Sequence, residues 1–171
     1  FSVEWSFNIN NRMHDMTFND GRSGMEYFPE DDNYVYIIAQ WFPRMCVYDD
    51  VVGWQNKQFL GQGEFTLTFG NYTVNLTVPS DHIVAATGMV QNPNEVLTAE
   101  QLARFEKAKT TFDKPLKIVT QAEATAKEKT KAGTKKTWKF YAENVRDFAF
   151  ASSRKFIWDA QAVKVGDKTP L

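Results

Sequence analysis

From Glu64 to Pro79 apolar and polar side chains alternate with the two-residue period of a β-strand. Phe65, Leu67 and Phe69 interleave with Glu64, Thr66 and Thr68, and Tyr72, Val74, Leu76 and Val78 interleave with Asn71, Thr73, Asn75 and Thr77. Gly70-Asn71 stands between the two runs, and a two-residue loop of this kind suits a type II′ turn. Pairing outward from it sets Phe69 opposite Tyr72, Leu67 opposite Val74 and Phe65 opposite Leu76, so turn and pattern ask for one register. The segment is expected to be a hairpin with one buried face and one wet face.

The same alternation predicts strands over Phe1–Ile9, Tyr34–Ala39, His82–Val90, Leu116–Thr120, Phe148–Ser152 and Phe156–Val165. Another follows at Trp138, Phe140 and Ala142, which alternate with Thr137, Lys139 and Tyr141. Asn10–Asp32 reads as a polar stretch with a turn at Asp20-Gly21, and Pro79-Ser80 ends the second hairpin strand. One helix is predicted. Thr98 is its N-cap, Gln101 completes a capping box, and Leu97 and Leu102 are spaced for a hydrophobic staple. Leu102, Phe105 and Ala108 form its apolar stripe, and it fades by Thr110-Thr111. Gln121–Lys136, rich in Lys, Ala and Thr with Gly133 near its tip, reads as a solvated, mobile connection.

These elements predict a mainly β fold, an antiparallel β-sandwich or saddle-shaped curved sheet with one short helix. Its 171 residues suffice for one domain with a real core. The expectation is a β-domain over residues 1–165, truncated at its start because the chain opens in mid-strand, and a linker over 166–171. Fourteen Phe and five Trp agree with strands over helices. A net charge of −1 argues against nucleic acid as a partner, since phosphate contacts need surplus Lys and Arg. The charge is uneven: residues 1–103 carry 4 basic and 13 acidic side chains, whereas 104–139 carry 11 and 4, which reads as a solvated positive face. Cys46 stands alone, so no internal disulfide forms, and no apolar run is long enough to span a membrane.

The densest group of special residues runs from Gln40 to Trp54. Gln40-Trp41-Phe42-Pro43-Arg44-Met45, Tyr48-Asp49-Asp50 and Gly53-Trp54 are followed by Gly63-Glu64-Phe65, Gly70-Asn71-Tyr72, Val78-Pro79, Ala86-Thr87-Gly88 and Asn92-Pro93, and then by Glu143-Asn144-Val145-Arg146-Asp147-Phe148-Ala149. In that order, from Tyr34 to Asp159, the chain resembles the N-terminal β-domain of zinc aminopeptidases (gluzincin metallopeptidases) of the aminopeptidase N type, particularly a bacterial branch. The resemblance implies a non-catalytic domain that packs on a thermolysin-like catalytic domain and caps the substrate cleft. In that family zinc is held by His-Glu-x-x-His and a downstream Glu. Here His14 and His82 are 68 positions apart and neither precedes Glu, so no catalytic or metal-binding residue is assigned and zinc is expected in the missing catalytic domain. The expected partners are that domain and, through the parent enzyme, a peptide substrate. The compartment is left unassigned, with an exported or periplasmic location favoured over the cytoplasm.

The resemblance also lends Gln40 a role in binding the substrate's α-amine, because a carboxamide oxygen accepts from an ammonium. Arg44 is expected to pair with Asp49 or Asp50 as a structural ion pair, with Pro43 stiffening the exit from the preceding strand. Gly24-Met25-Glu26-Tyr27 echoes the family's Gly-x-Met-Glu-Asn loop but lacks a residue, and it is given no function. Glu30-Asp31-Asp32 lacks the ligand alternation of a calcium loop and reads as a solvated acidic turn. Both histidines read as surface or turn residues, and the sequons at Asn71 and Asn75 as the wet face of a strand. Another reading from the residues is a free-standing carbohydrate-binding or adhesion β-sandwich, with Trp41, Trp54 or Trp138 as stacking platforms.

Overall fold

A computed structural model describes residues 1–12, 23–58 and 66–168. In chain order its elements are β1 (Gly24–Phe28), β2 (Asn33–Ile38), β3 (Tyr48–Asp49), β4 (Gly53–Trp54), β5 (Gly70–Pro79), β6 (Ile83–Ala86), β7 (Met89–Val90), α1 (Pro93–Val96), α2 (Ala99–Ala108), β8 (Leu116–Val119), α3 (Gln121–Glu128), β9 (Lys135–Val145), β10 (Phe150–Ser153) and β11 (Trp158–Ala160). The fold is mainly β, in antiparallel sheets. One sheet has the order β1-β2-β10-β6, a second β5-β9-β7, and β8 with β11 and β3 with β4 form two-stranded pairs.

Strand β9 builds the core because its alternation places Trp138, Phe140 and Ala142 on one face, all buried. It pairs with β5 in the register Leu76↔Trp138, Val74↔Phe140 and Tyr72↔Ala142. Ile83, Val84, Val96, Val119 and Phe148 close over this face, so one cluster joins residues of the larger sheets, α1 and β8. Phe105 and Ala108 of α2 pack with Ile118 in a smaller cluster.

The partner of β5 differs from the expected one. Gly70 and Asn71 lie within the strand, and Thr66–Phe69 forms no strand, while Glu64 and Phe65 fall outside the described residues. A bulge between Gly70 and Tyr72 takes the place of the turn. The strand found beside β5 is instead the eleven-residue β9, which offers it a long run of apolar partners. Phe1–Ile9 also departs from expectation: it forms no ladder among the described residues, and the only bridge nearby joins Asn11 to Met25. Gly24–Phe28, read as polar loop, is strand β1, paired with β2 through Met25↔Tyr36 and Tyr27↔Tyr34. The Asp20-Gly21 turn falls outside the described residues.

The single-helix expectation is corrected to three helices among the described residues. Thr98 caps α2 as expected: its Oγ1 accepts from Gln101 N at 3.3 Å, and Gln101 Oε1 accepts from Thr98 N at 3.2 Å. The supposed mobile connection begins as α3, with a second capping box in which Glu123 Oε2 accepts from Thr120 N at 2.7 Å. Glu123 also holds Arg104 of α2 at 2.5 Å, so the cap of one helix is tied to the flank of another. No described helix is long and apolar enough to cross a membrane.

His82–Val90, expected as one strand, is broken into β6 and β7 by Thr87-Gly88. Thr87 N donates to Ala149 O at 3.0 Å, and Gly88 adopts φ +82°, which carries the chain from the first sheet into the second. A Cβ at position 88 would lie 2.3 Å from Tyr141 O and 2.7 Å from Ala142 Cβ, so a side chain meets both a strained φ and rigid backbone. Gly88→Ala is expected to destabilise the domain by at least ~2 kcal/mol, measured by denaturant unfolding; an unchanged midpoint would contradict this account of the turn.

Candidate functional site

The residues Gln40 to Trp54 leave β2 and form a small projecting hairpin. Gln40 takes a left-handed φ of +51° and is half-buried where the chain turns away from the sheet. Beside it Ser23 Oγ bonds both the N–H and the C=O of Ala39, which fastens the end of β2 to the strand before it. Trp41 follows, half-buried among Phe42 and Phe150, with Nε1 donating to Phe148 O at 3.0 Å. Pro43 is exposed.

Arg44 pairs with Asp147 rather than with Asp49 or Asp50. Its Nη1 lies 3.2 Å from Asp147 Oδ1, near enough for an ion pair, yet without the alignment of a hydrogen bond, and its guanidinium sits 5.7 Å from the Phe42 ring centre. The expected partner is taken up elsewhere. Asp49 Oδ1 accepts from Val51 N at 2.9 Å and from Val52 N at 2.8 Å, and Oδ2 accepts from Gln55 Nε2. That is an Asx turn, and Gly53 at φ +77° completes it. The backbone bond from Val52 N, foremost, holds the Asp49 carboxyl below its usual range. Asp50 is exposed in the same turn.

The hairpin turns its apolar side chains outward. Met45, Tyr48, Val51, Val52 and Trp54 are exposed, Val51 at 86%. Tyr48 and Trp54 meet edge to face at 5.2 Å and 72°, so they do not make a flat platform. Of the other two tryptophans offered as stacking platforms, Trp138 is fully buried and Trp41 is half-buried with its N–H engaged. Cys46 is free and exposed beside this patch.

A polar network that the sequence reading missed lies on the other side of β2. His82 is buried rather than superficial, with Nδ1 2.9 Å from Ser152 Oγ. Arg154 grips Asp81 through Nε (3.0 Å) and Nη2 (3.3 Å) and donates from Nη1 to Asn33 Oδ1 at 3.0 Å. Asp81 further accepts from Thr130 Oγ1 and Ala132 N, which pins the segment after α3 to the sheets. Burial alone would raise the Asp81 carboxyl, but Arg154 and these donors hold it at about 2. For His82, burial first and Arg154 second bring the imidazole down to about 4. The acidic turn Glu30-Asp31-Asp32 is ion-paired rather than simply solvated: Asp31 holds Lys155, and Asp32 lies 3.4 Å from Lys131. A signal for this network did exist in the sequence, since Asp81-His82 and Arg154 flank strand ends, but nothing in spacing joins positions 81 and 154.

Among the described residues no group of three His, Cys, Asp or Glu side chains is placed to hold a metal ion. His14 lies outside the described residues. No family model, no curated protein and no solved structure matches this chain.

The depressed His82 means that the unfolded chain takes up a proton before the folded one does. Stability is complete above the ordinary imidazole pKa near 6.5 and declines as pH falls toward about 4. Asp81, and Glu123, likewise held at about 2, extend the decline below pH 4. Thermal melts should therefore fall in two steps on acidification, and His82→Gln should flatten the step between pH 6.5 and 4 while leaving the lower one.

Proposed function

We propose that this chain is the non-catalytic N-terminal β-domain of a zinc-dependent metallopeptidase of the aminopeptidase N type, docking on the catalytic domain and capping its substrate cleft. The observation that carries the reading is that the segment bearing the family resemblance, Gln40 to Trp54, also carries an apolar surface turned to solvent. A folded hairpin whose Tyr48, Val51, Val52 and Trp54 find no place in its own core has the character of an interface. Its bend is held by Asp49 and Gly53 rather than by Val51 and Val52, so the patch is presented ready-made.

On this reading the four-stranded and three-stranded sheets, joined through the β9 core, form the saddle or sandwich of that family's domain. Zinc and the water it activates belong to the catalytic domain, and this chain contributes shape. Gln40, at the base of the hairpin, would turn its carboxamide oxygen toward the α-amine of a peptide bound between the domains. A carbohydrate-binding role is less well supported by the tryptophans, because of Trp41, Trp54 and Trp138 only Trp54 is open enough to meet a sugar and Tyr48 stands on edge against it.

The reading frame that encodes this chain should hold His-Glu-x-x-His with a later Glu within roughly a domain's length. The catalytic domain from that frame should bind the chain, and Val51→Asp with Val52→Asp should weaken binding at least ~10-fold without moving the melting temperature. A frame without the motif, or binding indifferent to both aspartates, would sink the proposal. Saturable quenching of tryptophan fluorescence by oligosaccharides would favour the carbohydrate module instead.

A further inference from the structure

Strand β5 lies at the edge of its sheet, with β9 on one side and no strand on the other among the described residues. Lys139 of β9 directs its C=O to Gln91 N and its N–H to Asn92 Oδ1, both on the β7 side. Residues of the other parity, Trp138, Phe140 and Ala142, therefore bond to Leu76, Val74 and Tyr72 of β5. It follows that Thr73, Asn75 and Thr77 aim their N–H and C=O groups out of the sheet. From Gly70 to Val78 the edge carries no charge and no proline, the devices that usually protect such an edge. Alongside it runs an open groove of about 510 Å³, walled by Val78 of β5 and by Tyr34, Tyr36, Ile38 and Phe150 of the other sheet. Edge and groove together have the form of a slot for one more strand with alternating apolar side chains.

The chain carries such a strand. Phe1, Val3, Trp5, Phe7 and Ile9 alternate with Ser2, Glu4, Ser6 and Asn8, and every one of the nine is exposed. Ile9 already lines the groove together with Thr77, Val78 and Pro79. Trp5 Nε1 donates to Trp41 O at 2.9 Å, and Trp41 leads into Phe42, whose ring meets Tyr72 near the start of β5 at 5.8 Å. The segment thus runs in the same direction as β5. We infer that Phe1–Ile9 docks in cis as a parallel strand on the open edge of β5, with Val3, Trp5, Phe7 and Ile9 level with Tyr72, Val74, Leu76 and Val78. From Val3 to Ile9 the register matches apolar to apolar and polar to polar. The N–H groups of Thr73, Asn75 and Thr77 donate to the C=O groups of Val3, Trp5 and Phe7, and their own C=O groups accept from Trp5, Phe7 and Ile9. Tethering through β1 keeps the strand at high effective concentration, which favours it over a second copy. The inference is independent of the metallopeptidase reading.

Amide hydrogen exchange on the whole chain tests this, because the amides of Thr73, Asn75 and Thr77 have no other acceptor in view among the described residues. They should exchange about 100-fold slower than an unstructured peptide, and Phe7→Pro, which deletes a central donor, should remove at least 10-fold of that protection. In a Cys46→Ser background, Ser6→Cys with Asn75→Cys should form a disulfide within a monomer. Exchange at the unstructured rate, protection indifferent to Phe7→Pro, or protection that grows with concentration as light scattering reports a dimer would each overturn the inference, the last by assigning the edge to a second copy.

Discussion

Trp138, Phe140 and Ala142 leave water together because they share one face of β9, and nearly every other element is arranged by that act. Strand β5 must lie where its own apolar face continues theirs, and β7 must lie on the far side. Helix α1 and Phe148 then close the top, and Trp158 meets Trp138 at 6.4 Å from the β8–β11 pair. Large aromatic side chains contribute most of the apolar area a domain of this size can bury. The polar surroundings are built to permit that burial. Asn92, itself buried, accepts from Lys139 N and donates to Thr137 O, so a side chain supplies strand bonds where β7 has already ended.

The second constraint is electrostatic. A guanidinium as buried as Arg154 is tolerable only with its donors engaged, and Asp81 and Asn33 engage them in a planar fork. Asp81 spends its remaining lone pairs on Thr130 and Ala132, so the stretch after α3 is held by a charge that the core itself requires. The two anchors divide the labour: aromatic burial sets which strands pair, and the Asp81–Arg154 pair sets where α3 and its following turn come to rest.

What could be read from the sequence was whatever depends on neighbours in the chain. The alternation of β9, the existence of β2, β8 and β10, and the Thr98–Gln101 cap are all local, and each is found. Thr120-x-x-Glu123 obeys the same capping rule, yet it is obscured by the surrounding Lys, Thr and Gly, which read as loop. Pairing was less legible. The Gly70-Asn71 pair satisfies every local rule for a hairpin turn yet lies inside β5, and the partner that β5 does have, β9, follows some sixty residues later. Arg44 shows the same limit at the candidate site: the nearest carboxylates in sequence were Asp49 and Asp50, but Asp49 is held by its own turn and Asp147 arrives from the other end of the chain. Distance along the chain hid the partner, and chemistry still named its type.

The turn around Asp49 carries an evolutionary consequence. Because the carboxylate and Gly53 supply the bend, the side chains at positions 51 and 52 are under no obligation to shape the loop that displays them. The bend and the exposed tip are thereby separated within six residues. A lineage could alter the tip by exchanging those two side chains, while the fold beneath would register almost nothing of the change.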